Sequence, residues 1–235
     1  MTVGPSHLLN IPLDLARGID ALGLRVTEAQ QLQLLSYMDL IQKWNKVYNL
    51  TALRGLQEIL THHVLDSLSV ITPLLRHIEQ NKLSEQPTVS LLDVGSGGGL
   101  PGVVIAICCP FVRVTCVDTV SKKAAFIQQA AASLRLPNLQ GVHARVESLS
   151  GPFDLICSRA FASLPDFVSW SLGALAHDGV WMAMKGKTPE DEMVALPSSA
   201  EVFHVEQLKV PGLEADRCVV WMKKSASLSA AASST

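Results

Sequence analysis

Gly95, Gly97, Gly98 and Gly99 follow an apolar run that ends Leu91-Leu92-Asp93-Val94. Lacking side chains, these glycines let the backbone turn tightly and approach a ligand, and they cost conformational entropy where nothing binds. Val89, Leu91, Leu92 and Val94 read as a buried parallel strand. Pro101 suits the first turn of a following helix, whose free N–H groups favour an electron-rich ligand edge. A second strand over 113–118 ends in Asp118, at about the 20-residue spacing from which a carboxylate accepts hydrogen bonds from ribose hydroxyls. Ser121 reads as the N-cap of a helix carrying Ala124, Phe126, Ile127, Ala130 and Leu134. The order strand, glycine turn, helix, strand, acid, helix describes a nucleotide-cofactor site.

The details of the turn bear on which cofactor. In a dinucleotide turn a third glycine lets helix and strand pack closely; counted from Gly95, Leu100 stands there. Counted from Gly97 the pattern fits through Gly99 and Gly102, but further from the strand. The chain also reads Asp-x-Gly-x-Gly-x-Gly from Asp93, which favours S-adenosylmethionine. A nicotinamide-dependent oxidoreductase remains open; it would need a substrate domain with a proton donor, and none stands out after Asp118. So does a cofactor-binding protein without catalysis.

The elements that position these residues divide the chain into a helical subdomain, 1–88, a sheet domain, 89–224, and a Ser/Ala-rich disordered tail, 225–235. Thr27 and Gln30 form a capping box ahead of a helix whose inward stripe is Leu32, Leu35, Met38, Ile41 and Trp44. A second helix fits 56–75, with Ile59, Leu60, Val64, Leu68 and Ile71 inward and Pro73 near its end; 81–88 reads as a linker. Further strands fall at 139–143, 153–157 and 179–184, and 202–208 with 217–222 form a closing antiparallel hairpin. Seven strands with a late reversal outline an α/β, Rossmann-like class I methyltransferase. Ligands in such sheets lie outside the strands' carboxyl ends, beside Arg145-Val146-Glu147 and Ser158-Arg159-Ala160-Phe161.

With 235 residues the chain can bury a large core. It has no apolar run of membrane-spanning length and no basic, apolar secretory start, which places it in the cytoplasm. Cys108, Cys109, Cys116, Cys157 and Cys218 are odd in number and lie in apolar contexts, so reduced, buried thiols are expected and no metal is called for. A net charge of −2 gives no bulk attraction to nucleic acid, and any RNA binding must use a local cluster.

Several motifs in one order are more specific than a glycine loop: Trp44-Asn45-Lys46, Asn49-Leu50-Thr51, His63 with Leu65-Asp66-Ser67, Asp93 to Gly102, Arg145-Val146-Glu147, Ser158 to Phe161, Lys185-Gly186 and Pro189-Glu190-Asp191-Glu192. On these the chain resembles the bacterial 16S ribosomal RNA guanine-N7 methyltransferases, also called glucose-inhibited division protein B. His62 stands where that family often has arginine.

The resemblance implies S-adenosylmethionine as cofactor, with contacts at Gly95, Gly97, Leu100, Asp118, Val146, Glu147 and Arg159. Small-subunit ribosomal RNA, not DNA or membrane, is the implied partner, for a monomeric enzyme. Guanine N7 offers an in-plane lone pair, so no general base is needed and proximity and orientation supply much of the rate. Arg159 and Lys185 are then orienting groups at the mouth of the site. RNA contacts are expected from Lys46, Arg145 and Lys185, with Lys43, Arg54, Lys122, Lys123, Arg159 and Lys187 further candidates and Phe161 or Trp44 available to stack on a base.

Overall fold

A computed structural model describes residues 10–81, 83–86 and 88–225. Of the expected tail only Ser225 is among them. Strands β1 (Val89–Val94), β2 (Val112–Asp118), β3 (Leu139–His143), β4 (Phe153–Arg159), β5 (Leu175–Lys185), β6 (Ala200–Leu208) and β7 (Arg217–Lys224) form one sheet in the order β3-β2-β1-β4-β5-β7-β6. From β3 to β5 all pairings are parallel, and β7 lies antiparallel between β5 and β6, which is the late reversal expected of the closing hairpin. The strand order switches direction at β1, so a crevice opens outside the carboxyl ends of β1, β2 and β4.

Helices α1 (Ile11–Ala21), α2 (Glu28–Tyr48), α3 (Leu56–Ile59), α4 (Asp66–Leu68) and α5 (Ile71–Gln80) precede the sheet; α6 (Gly102–Cys108), α7 (Ser121–Ser133), α8 (Leu164–Ser171) and α9 (Glu190–Val194) are interleaved with it. Two apolar clusters cover the two faces. One joins Leu91, Val104, Phe126, Leu155 and Met182 to Leu15, Leu34, Tyr37, Ile41, Leu60 and Leu68 of the N-terminal helices; the other joins Leu92, Ile156, Trp181 and Val220 to Leu164, Phe167 and Val168 of α8.

Four local expectations need correction. The capping box at Thr27 and Gln30 is present, but the buried face of α2 is Leu34, Tyr37, Met38, Ile41 and Asn45, while Leu32 is 58% exposed. Tyr37 and Asn45 are there because each has a hydrogen-bond partner outside the helix that an apolar stripe does not reveal. The helix expected over 56–75 is broken: a π segment, Leu60–Leu65, widens its middle, α4 ends at Leu68, and Pro73 sits in the first turn of α5 rather than near an end. Its five inward residues are nonetheless all buried. Ser121 does not cap α7; Val120 occupies that place with no side-chain cap, and the Asp118 carboxylate receives the Val120 N–H instead, at 2.9 Å. The N–H groups at the start of α6 are not free, since Gly102 N–H donates to Asp93 Oδ2 at 2.8 Å and Val103 N–H to the Gly99 carbonyl at 2.7 Å.

Candidate cofactor site

Two adjoining cavities occupy the crevice at the switch point. The larger, about 450 Å³, is lined by Gly95, Asp118, Val120, Arg145, Val146, Glu147, Phe161 and Trp170 among others. The smaller, about 200 Å³, is lined by Leu50, Thr51, His63, Ser96, Gly97, Leu100 and Arg159 among others. Gly95, Lys123 and Ala160 border both, so the two form one elongated site with the glycine turn as its floor.

The floor is shaped by backbone geometry. Gly95 and Gly97 both have positive φ, 64° and 57°. A Cβ on Gly95 would collide with the Phe161 ring, whereas one on Gly97 would project into open space with only the Gly95 carbonyl oxygen 4.0 Å away. Asp118, 6% exposed at the end of β2, accepts from Gly97 N–H at 3.0 Å and lies 3.5 Å from Lys123 Nζ. It therefore ties the turn to the second strand while keeping its carboxylate on the larger cavity. Tyr37 reaches from α2 to donate its hydroxyl to the Gly98 carbonyl, and burial raises that phenol well above its ordinary pKa. Beneath the floor Asp93 is fully buried; burial pushes its carboxyl up to about 7, against the opposing pull of Gly102 N–H and Arg159. Its Oδ1 has no hydrogen-bond partner among the described residues. The Cys116 and Cys157 thiols beside it are also raised, chiefly by burial.

The wall of the smaller cavity comes from the N-terminal helices. In the π segment Asp66 N–H reaches back to Thr61 O, and the His62 carbonyl accepts from Arg159 Nη1 at 2.8 Å. The same Nη1 donates to Asp66 Oδ2 at 2.8 Å, and Arg217 Nε donates to Asp66 Oδ1 at 2.9 Å. His63 Nε2 lies 2.7 Å from Thr51 Oγ1, and Arg159 Nη2 lies 3.3 Å from His63 Nδ1. Burial, followed by the neighbouring Arg159, lowers His63 to about 4, so its imidazole is neutral at pH 7. Asn45 holds the Thr51 loop by accepting from Thr51 N–H at 3.0 Å and donating to the Leu53 carbonyl at 2.7 Å.

A family model described as GidB, rRNA small subunit methyltransferase G, matches residues 30–220. Proteins named ribosomal RNA small subunit methyltransferase G are 61% identical in Paracidovorax citrulli, over 95% of this chain and 93% of that one, and 64% identical in a Polaromonas species, over 89% and 92%. The chain belongs to the rRNA small subunit methyltransferase G family. Among solved structures, TrmN from Thermus thermophilus has a similar fold, with a TM-score of 0.50 and 18% identity over 68% of this chain; the match spans about half of that protein, 52%. The fold is the Rossmann-like class I methyltransferase expected from the strand pattern.

Of the residues expected at the site, Gly95, Gly97, Leu100, Asp118, Val146, Glu147, Arg145 and Arg159 all line one or both cavities of this family member. Phe161 lines the larger one and meets Trp170 edge to face at 5.7 Å. Lys185 lines neither. Its Nζ donates to the Ala162 carbonyl at 2.9 Å and to Glu192 Oε2 at 2.8 Å, and that same oxygen accepts Leu164 N–H, so Lys185 braces the loop after β4. Lys43, Lys46 and Arg54 are exposed near the end of α2, and Lys122 stands over the Tyr48 ring at 5.3 Å. Trp44 packs on Tyr48 and Phe126, at 5.0 and 5.4 Å, inside the helical layer. Tyr37 escaped the sequence reading because the apolar stripe of its helix passes over it, and Trp170 because the stretch between the expected strands 153–157 and 179–184 carries no motif around it. Thr51, His63 and Asp66 lay in quoted motifs without a role; their polar types between apolar neighbours were the available signal.

Proposed function

We propose that this protein transfers a methyl group from S-adenosylmethionine to N7 of a guanine in small-subunit ribosomal RNA. Family membership across residues 30–220 carries the reading. The residues present fit the cofactor: the Gly97 position is open where a Cβ would intrude, and a buried acid, an apolar wall and an arginine line one continuous crevice. When bound, S-adenosylmethionine supplies an electrophilic methyl group. Asp118 accepts from the ribose hydroxyls, backbone N–H groups at Val146 and Glu147 read the adenine edge, Leu100 packs on an apolar face, and Arg159 orients the charged end with a planar fork of donors. The target N7 carries its own lone pair, so the chain's part is orientation and exclusion of water. Neutral His63 in the smaller cavity, its ring nitrogens turned to Thr51 and Arg159, adds no charge there.

In this reading the helical part, 1–88, supplies one wall of the target site and the sheet part, 89–224, holds the cofactor, acting as a cytoplasmic monomer. Among the described residues no helix is long and apolar enough to cross a membrane. Exposed Lys46 and Arg145 meet the RNA backbone, with a salt-dependent affinity. The test is transfer of tritium from labelled S-adenosylmethionine to small-subunit RNA, followed by reductive aniline cleavage, which cuts the strand at N7-methylated guanine. Label that enters RNA without creating a cleavage site would move the reaction to another atom; no label in RNA or in the assembled subunit would end the proposal.

A further inference from the structure

Asp66 lines neither of the two cavities of the site, yet its two carboxylate oxygens are each held by a different arginine. Arg159 comes from the end of β4 and lines the smaller cavity; Arg217 comes from the start of β7, with β5 lying between the two strands. The Asp66 side chain is 2% exposed, those of Arg159 and Arg217 18% and 24%. We propose that Asp66 and Arg217 are positioning residues that set the direction of the Arg159 guanidinium at the methyl-donor cavity; this rests on the reading of that cavity given above.

The physical argument concerns rigidity. An arginine side chain is long and flexible, and a single carboxylate contact leaves its fork free to pivot about that contact. Here Nη1 is pinned by two acceptors at once, the Asp66 oxygen and the His62 carbonyl. The carboxylate in turn cannot follow the guanidinium, because Arg217 Nε fixes its other oxygen. Arg217 is held by its own backbone neighbour, Nη1 donating to the Asp216 carbonyl at 2.8 Å. A buried ion pair is weak evidence for stability, since desolvation offsets the attraction, and a shared carboxylate between two arginines is better understood as a device for fixing direction. It also joins three distant segments of the chain at one acceptor group.

The test is calorimetric affinity for S-adenosylhomocysteine, which keeps the carboxylate of the methyl donor, measured on full-length protein. Removing a negative charge beside a guanidinium would, by field alone, tighten the hold on an anionic group. Positioning has the opposite sign: Asp66→Asn is expected to weaken binding on the order of tenfold. Because Asp66 acts through Arg159, the double variant Asp66→Asn/Arg159→Ala should bind as weakly as Arg159→Ala and no weaker. Unchanged or tighter binding by folded Asp66→Asn, or additive losses in the double variant, overturns the proposal. Should Asp66→Asn fail to fold by thermal melting, Arg217→Lys decides the matter. That change keeps the charge and loses the Nε contact at a partly exposed site, and several-fold weaker binding is expected; wild-type affinity overturns the proposal. Absence of binding by the wild-type protein overturns the methyl-donor reading itself.

Discussion

Asp93 and His63 make opposite contributions to how stability depends on pH, and substituting each in turn exposes the other. Burial raises the Asp93 carboxyl from 3.8 to about 7, and burial with Arg159 lowers His63 from 6.5 to about 4. For the raised carboxyl, folded protein keeps a proton that the unfolded chain releases, so its contribution is full below pH 3.8 and is lost as pH climbs to about 7. For the lowered imidazole, the unfolded chain takes up a proton that the folded protein refuses; its contribution is full above pH 6.5 and is lost as pH falls to about 4. At 1.36 kcal/mol per pKa unit these changes are on the order of 4 and 3 kcal/mol. In the wild-type protein they nearly cancel across the acidic window. Asp93→Asn keeps an acceptor for Gly102 N–H and should leave a protein whose melting temperature, relative to wild type, rises from pH 4 to 7. His63→Gln keeps a partner for Thr51 and should leave one whose relative melting temperature falls over the same range. At roughly 2–4 °C per kcal/mol for a chain of this size, each divergence is about 10 °C. Differential scanning fluorimetry of the three proteins in matched buffers measures it. Because every other group is common to all three, curves that run parallel would refute the reasoning.

Gly97→Ala and Gly95→Ala separate two meanings of the glycine turn. Both place an L-residue at positive φ, a strain of about 1–2 kcal/mol, but Gly97→Ala should abolish binding of S-adenosylhomocysteine in calorimetry with only that modest loss of melting temperature, while Gly95→Ala should melt distinctly lower because its Cβ meets Phe161. A folded Gly97→Ala with wild-type affinity would show that the ligand does not approach there. Asp118→Ala should weaken cofactor binding by about 1.5–3 kcal/mol and lower the melting temperature as well, since Gly97 and Val120 N–H lose their acceptor; equal affinity would reduce Asp118 to a tether for the turn. Lys185→Met should slow single-turnover methylation by loosening the loop after β4, without altering how RNA affinity falls with salt, because its ammonium is engaged by Ala162 O and Glu192. A salt slope shallower by about 0.7 would instead mean one lost phosphate contact.

Much of this fold was legible because strands buried on both faces read as apolar runs and turn residues punctuate them. The antiparallel pairing of the last two strands followed from the short stretch between 208 and 217, too brief for a crossover helix. The N-terminal part was less legible. Leu32 satisfies a helical stripe yet faces solvent, and Tyr37, which the stripe passes over, is fully buried because its hydroxyl has a partner in Gly98. Hydrophobic periodicity cannot represent a polar atom satisfied by a residue far along the chain. The π segment is invisible for a related reason: its His62 carbonyl accepts from Arg159, nearly a hundred positions away. Ser121 shows the limit from the other side, where a good capping residue stood in reach and the carboxylate of Asp118 took the bond.

The two acids of the glycine motif do different work, and the difference explains why arginine is needed. Both were read from the same strand-and-turn pattern, and only their surroundings separate them. Asp93 points inward, is fully buried, and receives the first N–H of α6. The positive end of that short helix is thus satisfied by the protein and is not offered to a ligand. Asp118 faces the larger cavity and can accept hydroxyl donors, but it repels any anionic group. A ligand that carries both a ribose and a carboxylate must therefore have its two ends met by separate devices, a carboxylate at one end of the crevice and a cation at the other. In the smaller cavity the cations are Arg159 and Lys123, and Lys123 lies 3.5 Å from Asp118. On the proposed function that leaves Arg159, bonded to Asp66 and the His62 carbonyl, to meet the anionic end.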